Sequence, residues 1–212
     1  MRIGIFGGTF DPVHYGHLLL AEMCREQCRL DQVWFLPALV PPHKQRRQLT
    51  PPAQRLEMLG LAVAGNEAFF VSPLEIERGG VSYTVETLSA VRTRHPDAEL
   101  FFLMGADSLR DLPTWREPGR ICELAVPVVV RRRGAPEPDF AVMANVVPQA
   151  RLAEIRTHQV EMPVVEFSST AIRHAVAAGR SIRYQTPRAV QKYIEAHGLY
   201  RDESGGPRRD DS

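Results

Sequence analysis

Short apolar runs alternate along this chain with longer stretches whose apolar residues recur at helical spacing. The first run, Arg2 to Phe6 (RIGIF), stops at Gly7-Gly8. Residues 15–29 follow, with Leu18, Leu19, Ala21, Met23 and Cys28 spaced for a helix. QVWFLP (32–37), AFFVS (68–72), ELFFLMG (99–105), LAVPVVVRR (124–132) and PVVEF (163–167) are rich in β-branched and aromatic residues, the signature of buried strands. Pro127 weakens the start of the fifth run or places it near a sheet edge. Between the runs, helices are predicted over 52–65, 84–94, 168–178 and 187–197, with a short helical turn over 107–112. Pro52 suits the first position of the 52–65 helix. Residues 134–166 show the weakest pattern apart from PVVEF.

Such alternation predicts parallel pairing with helices on both faces. The expected fold is a doubly wound, Rossmann-like α/β sheet with a small C-terminal helical part. Residues 1–201 are expected to form one domain, and the polar stretch 202–212 (DESGGPRRDDS) to be disordered. In doubly wound sheets ligands bind beyond the carboxyl ends of strands, where the strand order reverses. Residues that carry chemistry should therefore follow strands directly.

Composition narrows the picture. Of 212 residues, 44% are apolar and 24% charged, which excludes a wholly disordered chain. No apolar stretch is long enough for a membrane span, and the N-terminus lacks the pattern of a secretory signal. With 26 Lys plus Arg against 25 Asp plus Glu, nothing global draws the chain to nucleic acid. Any anion must be met by a local cluster. The three cysteines, Cys24, Cys28 and Cys122, form no disulfide framework and point to a reducing, cytoplasmic compartment. No feature sets an oligomeric state.

Five segments carry candidate chemistry. GGTFDPVHYGH (7–17) follows the first strand. Gly7 and Gly8 would let the backbone turn and approach a ligand closely, Thr9 offers a hydroxyl and Pro12 stiffens the loop. His14 and His17 stand three apart where a helix begins, so two imidazoles and a helix N-terminus can meet phosphate oxygens. Two histidines could instead hold zinc, but no Cys or Glu stands in ligand spacing, or they could be purely structural at a helix start. The glycine spacing fits neither a P-loop nor the dinucleotide fingerprint. FSSTAIR (167–173) places Ser168, Ser169 and Thr170 at another helix start with Arg173 in its first turns. That reads equally as a second phosphate-binding terminus or as simple capping with an arginine reaching solvent. PPHKQRR (41–47) is a basic loop on the same edge, with His43 and Lys44 its main candidates. In GADSLRDLPTW (105–115), Gly105 permits close approach, Asp107 can accept from a ribose hydroxyl, and Trp115 is either a stacking platform or core. In GGVSYTVETL (79–88), Tyr83 and Thr84 open a helix whose N–H groups suit a carboxylate.

Taken in order, GGTFDPVHYGH, PPHK, SYTVETL, GADSLRDLPTW and FSSTAIR resemble the motifs of bacterial nicotinate-nucleotide adenylyltransferases. Those enzymes form a branch of the nucleotidyltransferase superfamily marked by a (T/H)xGH motif. The resemblance spans roughly residues 2–200 and implies a reaction between nicotinate mononucleotide and ATP. The products would be nicotinate adenine dinucleotide and pyrophosphate, a late step in NAD biosynthesis. It further implies Mg²⁺, held mainly by substrate phosphates with no metal site of the protein's own, and small-molecule partners only.

By the same resemblance Gly8, Thr9 and Phe10 line the nucleotide site, and His14 and His17 hold ATP phosphates and the reacting α-phosphate. Ser168, Ser169 and Arg173 would take the leaving phosphates, and His43 and Lys44 would assist from their loop. Gly105 and Asp107 would serve the adenosine, while Thr84, Trp115 and Arg132 would serve the acceptor nucleotide. Three positions depart from the family pattern: Arg133 stands at an expected proline, Glu86 at a usual aspartate and Phe167 at a common isoleucine. No Ser, Cys or Lys sits beside an activating base, so direct in-line attack by the acceptor's phosphate is the expected mechanism. Two alternatives remain at this point: another superfamily transferase, such as one acting on phosphopantetheine, and a non-catalytic nucleotide- or metal-binding protein.

Overall fold

The structure, a computed structural model, describes residues 1–42 and 49–201. Its strands are β1 (Arg2–Gly8), β2 (Gln32–Pro37), β3 (Phe69–Val71), β4 (Glu99–Gly105), β5 (Val126–Arg132) and β6 (Gln159–Met162). Its α-helices are α1 (Tyr15–Gln27), α2 (Pro52–Val63), α3 (Leu74–Arg78), α4 (Thr84–Arg94), α5 (Ala106–Asp111), α6 (Pro118–Leu124), α7 (Gln149–Thr157), α8 (Ser169–Ala177) and α9 (Arg188–Ala196). All strand pairs are parallel, in the order β3-β2-β1-β4-β5-β6. The chain winds outward from β1 in one direction and then, from β4, in the other. The crevice beyond β1 and β4 is thus the topological switch point.

Alternation along each strand splits the core into two layers. Phe6, Val33, Phe35 and Phe101 face α1, α2, α8 and α9, whereas Ile3, Ile5, Leu100 and Phe102 face α4, α6 and α7. The predicted doubly wound sheet is the observed one. Strands β2 and β4 and helix α4 match the residues expected of them.

Three expectations need correction, and the reading of Pro127 is made specific. The sixth strand is QVEM, not PVVEF. Val160 and Met162 point into the core, and the last ladder bond runs from Arg133 N–H to the Met162 carbonyl. Pro163 then has no N–H to offer, and Val164 is 58% exposed. Gly7 and Gly8 do not turn the chain: they pair with Leu36 and Pro37 inside β1. The reversal falls at Phe10, whose φ is 49°. Pro127, expected at a weakened start or near an edge, is the second residue of β5, which neighbours the edge strand β6. Val129 N–H donates toward β6, to the His158 carbonyl at 3.0 Å. Position 127 faces the same side before β6 begins, so its missing N–H breaks no ladder. Finally, α3, α6 and α7 were unforeseen; α7 buries only Leu152 and Ile155, too sparse a stripe to show in the sequence. His43, Lys44 and the tail 202–212 lie outside the described residues.

Phe10 holds a conformation that a bulky residue adopts only when its surroundings fix it. Its ring packs against Phe6, His17 and Phe35, with centroids 5.4, 5.0 and 5.8 Å away. Gly8 makes the room: a Cβ there would stand 2.8 Å from Phe10 Cζ and about as close to both Cε atoms. A ring locked among three others cannot retreat. The substitution Gly8→Ala is expected to cost about 1–3 kcal/mol by overpacking, read from urea denaturation. Unchanged stability would show that the Phe10 ring is not fixed as described.

Candidate active site

The first turn of α1 is built by its two histidines. His14 is the N-cap, in extended conformation. Its Nδ1 accepts from His17 N–H at 3.4 Å, and His17 Nδ1 accepts from His14 N–H at 3.2 Å. This is a capping box in which imidazoles replace the usual hydroxyl and carboxylate. The rings stack with centroids 3.7 Å apart. A neutral imidazole that accepts at Nδ1 carries its proton on Nε2. The box therefore sets both rings to present Nε2–H donors.

His14 is only 6% exposed, and burial pushes its pKa down to about 4. Near neutral pH it is a hydrogen-bond donor without charge, so the charge expected of a protonated ring is not supplied by His14.

The loop between β1 and α1 is fastened from the C-terminal part of the chain. Arg173 Nη1 donates to the Asp11 carbonyl at 2.7 Å, Ser169 Oγ to the Pro12 carbonyl at 2.9 Å, and Thr186 Oγ1 to the Val13 carbonyl at 2.7 Å. Arg173 also donates to Thr170 Oγ1. Arg173 is thus tied to the protein and does not simply reach out to solvent, while the capping expected of FSSTAIR is present. Ser168 caps α8 by accepting from Ala171 N–H. The first and last motifs thus meet on one rim, with the Phe167 ring 6.4 Å from His14.

A second fastening lies beneath the loop. The buried Asp11 carboxylate accepts from Tyr200 Oη at 2.7 Å and from Thr50 N–H at 3.1 Å. Arg55, 0% exposed, donates Nε to the Thr50 carbonyl and Nη1 to the Thr9 carbonyl, both at 2.9 Å. Burial and the neighbouring Asp11 raise the Tyr200 pKa, so the phenol stays a donor. Sequence reading missed Arg55, Tyr200 and Thr186. Arg55 had a signal: it falls on the stripe of α2 that buries Met58 and Leu59, where an arginine is out of place unless partnered.

The other rim lies beyond β4. Gly105 is the N-cap of α5, and no atom lies within 4 Å of where its Cβ would be. Asp107 is exposed and paired with Arg110 at 2.6 Å. Trp115 meets Phe102 edge-on at 6.0 Å, and its buried Nε1 has no hydrogen-bond partner among the described residues. Tyr83 is the N-cap of α4 and Thr84 its first residue. Arg116 lies over the Tyr83 ring at 4.8 Å, which brings the Trp115 loop against the start of α4. Arg132 ends β5, exposed, two strands over from β1 on the same carboxyl edge. Among the described residues no group of three or more His, Cys, Asp or Glu is placed to hold a metal ion.

The titration of His14 has a consequence for stability. Its pKa of about 4 lies below the ordinary histidine value of 6.5 expected when unfolded, so the unfolded chain binds more protons between these values. Stability contributed at this site is complete above pH 6.5 and falls as pH drops from 6.5 toward 4. The substitution His14→Asn keeps a capping side chain but removes the titration. Urea denaturation across this window is expected to show a shallower acid loss for the variant than for the wild type. Parallel curves would refute the neutral, buried His14.

A sequence profile of the cytidylyltransferase-like family matches residues 5–175. A Thermomicrobium roseum protein named "probable nicotinate-nucleotide adenylyltransferase" is 51% identical over 200 residues, covering 94% of this chain and 92% of that protein. One of the same name from Thermus thermophilus is 48% identical over 201 residues, covering 95% of this chain and all of that protein. Among solved structures, the Plasmodium falciparum nicotinic acid mononucleotide adenylyltransferase complexed with NaAD superposes with a TM-score of 0.74. That comparison covers 94% of this chain and 97% of the other. At 18% identity it is a likeness of fold.

Proposed function

This chain belongs to the cytidylyltransferase-like family and, within it, to the nicotinate-nucleotide adenylyltransferases, and on that footing we propose that it transfers the adenylyl group of ATP to nicotinate mononucleotide. The observation that carries the proposal is the rim on which the histidine capping box and the Ser168–Arg173 segment meet. It gathers donors for a polyphosphate at the switch point of the sheet. The three buried, unpaired thiols favour a reducing, cytoplasmic compartment.

The acceptor's phosphate oxygen attacks the α-phosphorus of ATP. A new P–O bond forms as the bond to the β-phosphate oxygen breaks, and pyrophosphate leaves with the electron pair. The nucleophile is already anionic, so no protein base is required. The protein's contribution is positioning and charge stabilisation. Nε2–H of His14 and His17 and the N-terminus of α1 serve the α-phosphate. Ser168, Ser169 and Arg173 serve the leaving pyrophosphate, with His43 and Lys44 from their loop. Gly8, Thr9 and Phe10 form the floor, and Gly105 and Asp107 take the adenosine. Thr84, Trp115 and Arg132 hold the acceptor, and N–H groups at the start of α4 favour the acid over the amide.

The carboxylate nearest the histidine loop, Asp11, is occupied by Tyr200 and Thr50. Magnesium therefore fits as part of the substrate, carried on the ATP phosphates, whose charge it would spread.

Purified protein with ATP and Mg²⁺ is expected to release pyrophosphate with nicotinate mononucleotide, less efficiently with nicotinamide mononucleotide, and not with phosphopantetheine. Release with phosphopantetheine but not with nicotinate mononucleotide would overturn the assignment. His17→Ala is expected to lower kcat by about 10²–10³ while circular dichroism shows the fold retained. A folded variant with wild-type turnover would remove the histidine clamp from the mechanism.

A further inference from the structure

Three segments meet at Glu86, a residue outside the roles assigned so far. Its Oε1 accepts from Arg116 Nη1 at 2.7 Å. Its Oε2 lies 3.8 Å from Nε of Arg78. Arg116 adjoins Trp115 in the connection between α5 and α6, Glu86 lies in the first turn of α4 beside Thr84, and Arg78 ends α3.

The two arginines differ in freedom. Arg78 is anchored from behind: its Nη1 donates to Thr87 Oγ1 at 3.2 Å, and that hydroxyl donates to the buried Glu75 at 2.7 Å. Its Nε and Nη2 are buried and have no hydrogen-bond partner among the described residues. Arg116 is half exposed and lies flat over Tyr83. The Glu86 carboxylate therefore stands between a partly buried guanidinium tethered to Thr87 and a more exposed one on the loop that carries Trp115.

We propose that Glu86 is a positioning residue that holds the Trp115 loop against the N-terminus of α4 through Arg116, and so sets the width of the acceptor pocket. The proposal rests on the reading of Thr84 and Trp115 as acceptor-binding. Glu86 itself touches no substrate. Its attraction to Arg78 keeps the carboxylate oriented, and its bond to Arg116 transmits that orientation to the indole. A half-exposed ion pair adds little to global stability. Its effect falls on geometry, where a small displacement of a binding wall is felt strongly.

The chain has two tryptophans, Trp34 and Trp115. In a Trp34→Phe background, acrylamide quenching reads the accessibility of Trp115 without any turnover. If that background folds poorly, fluorotryptophan labelling and fluorine NMR read both indoles in the intact sequence. Glu86→Gln is expected to increase Trp115 quenching. It should also raise KM for nicotinate mononucleotide about five- to tenfold, with kcat and KM for ATP within about twofold of wild type. Arg116→Ala should give the same pattern, and adding Glu86→Gln to it should change little further. Glu86→Asp keeps the charge and is expected to restore both readouts to within about twofold of wild type.

If Glu86→Gln leaves either readout at its wild-type value, the proposal is overturned, since a strut must move both. If wild-type protein fails to turn over nicotinate mononucleotide while Trp115 quenching still responds to Glu86→Gln, the strut stands and the acceptor reading falls.

Discussion

The site depends on how the backbone between β1 and α1 is satisfied. Residues 9–13 reverse direction beneath the surface, and the carbonyls of Thr9, Asp11, Pro12 and Val13 all require donors. Arg55, Arg173, Ser169 and Thr186 supply them. Leaving buried polar groups unmet costs more than the net gain of an average hydrogen bond. The reversal can therefore exist only where α2, α8 and the segment before α9 surround it. The two histidines take their places at the start of α1 because that cradle fixes the preceding loop.

This dependence explains the chemistry of the histidines. The capping box uses both Nδ1 atoms as acceptors, so each imidazole's remaining proton lies on Nε2. Burial keeps His14 uncharged near neutrality. Its contribution to a phosphate is thus directional more than electrostatic. Under the proposed function positive charge comes from Arg173 and from the helix terminus; Arg173 is bound to the Asp11 carbonyl, in the loop that leads into His14.

Much of this was legible in the sequence. Apolar runs of four to seven residues fixed five of the six strands because parallel strands buried on both faces leave little room for polar residues. The sixth failed for the same reason inverted: β6 pairs on one side only and alternates polar with apolar as QVEM, while the apolar PVVEF beside it lies outside the sheet. The histidine motif follows β1 as expected, whereas FSSTAIR follows an irregular segment after β6 and SYTVETL follows α3, yet each opens a helix as its residues imply. Their supports were not found. Arg55, Tyr200 and Thr186 each reach a loop residue more than 40 positions away; the stripe of α2 signals that Arg55 needs a partner, but no local pattern says which. Trp115 illustrates the middle case: the sequence offered platform or core, and the structure shows an edge contact with Phe102 and a buried indole N–H without a hydrogen-bond partner among the described residues.

The latch on the β1–α1 loop spans sequence separations of 157 to 189 residues. During synthesis the histidine segment emerges early, and Thr50 and Arg55 soon after it, but the other fasteners follow only 157 to 189 residues behind their partners. Until Ser169, Arg173, Thr186 and Tyr200 have left the ribosome, the carbonyls of Asp11, Pro12 and Val13 must stay with water. A nascent chain therefore carries the histidines long before the loop that positions them is fully fastened. Because contacts of such range form late and slowly, the maturation of the site is tied to completion of the whole fold.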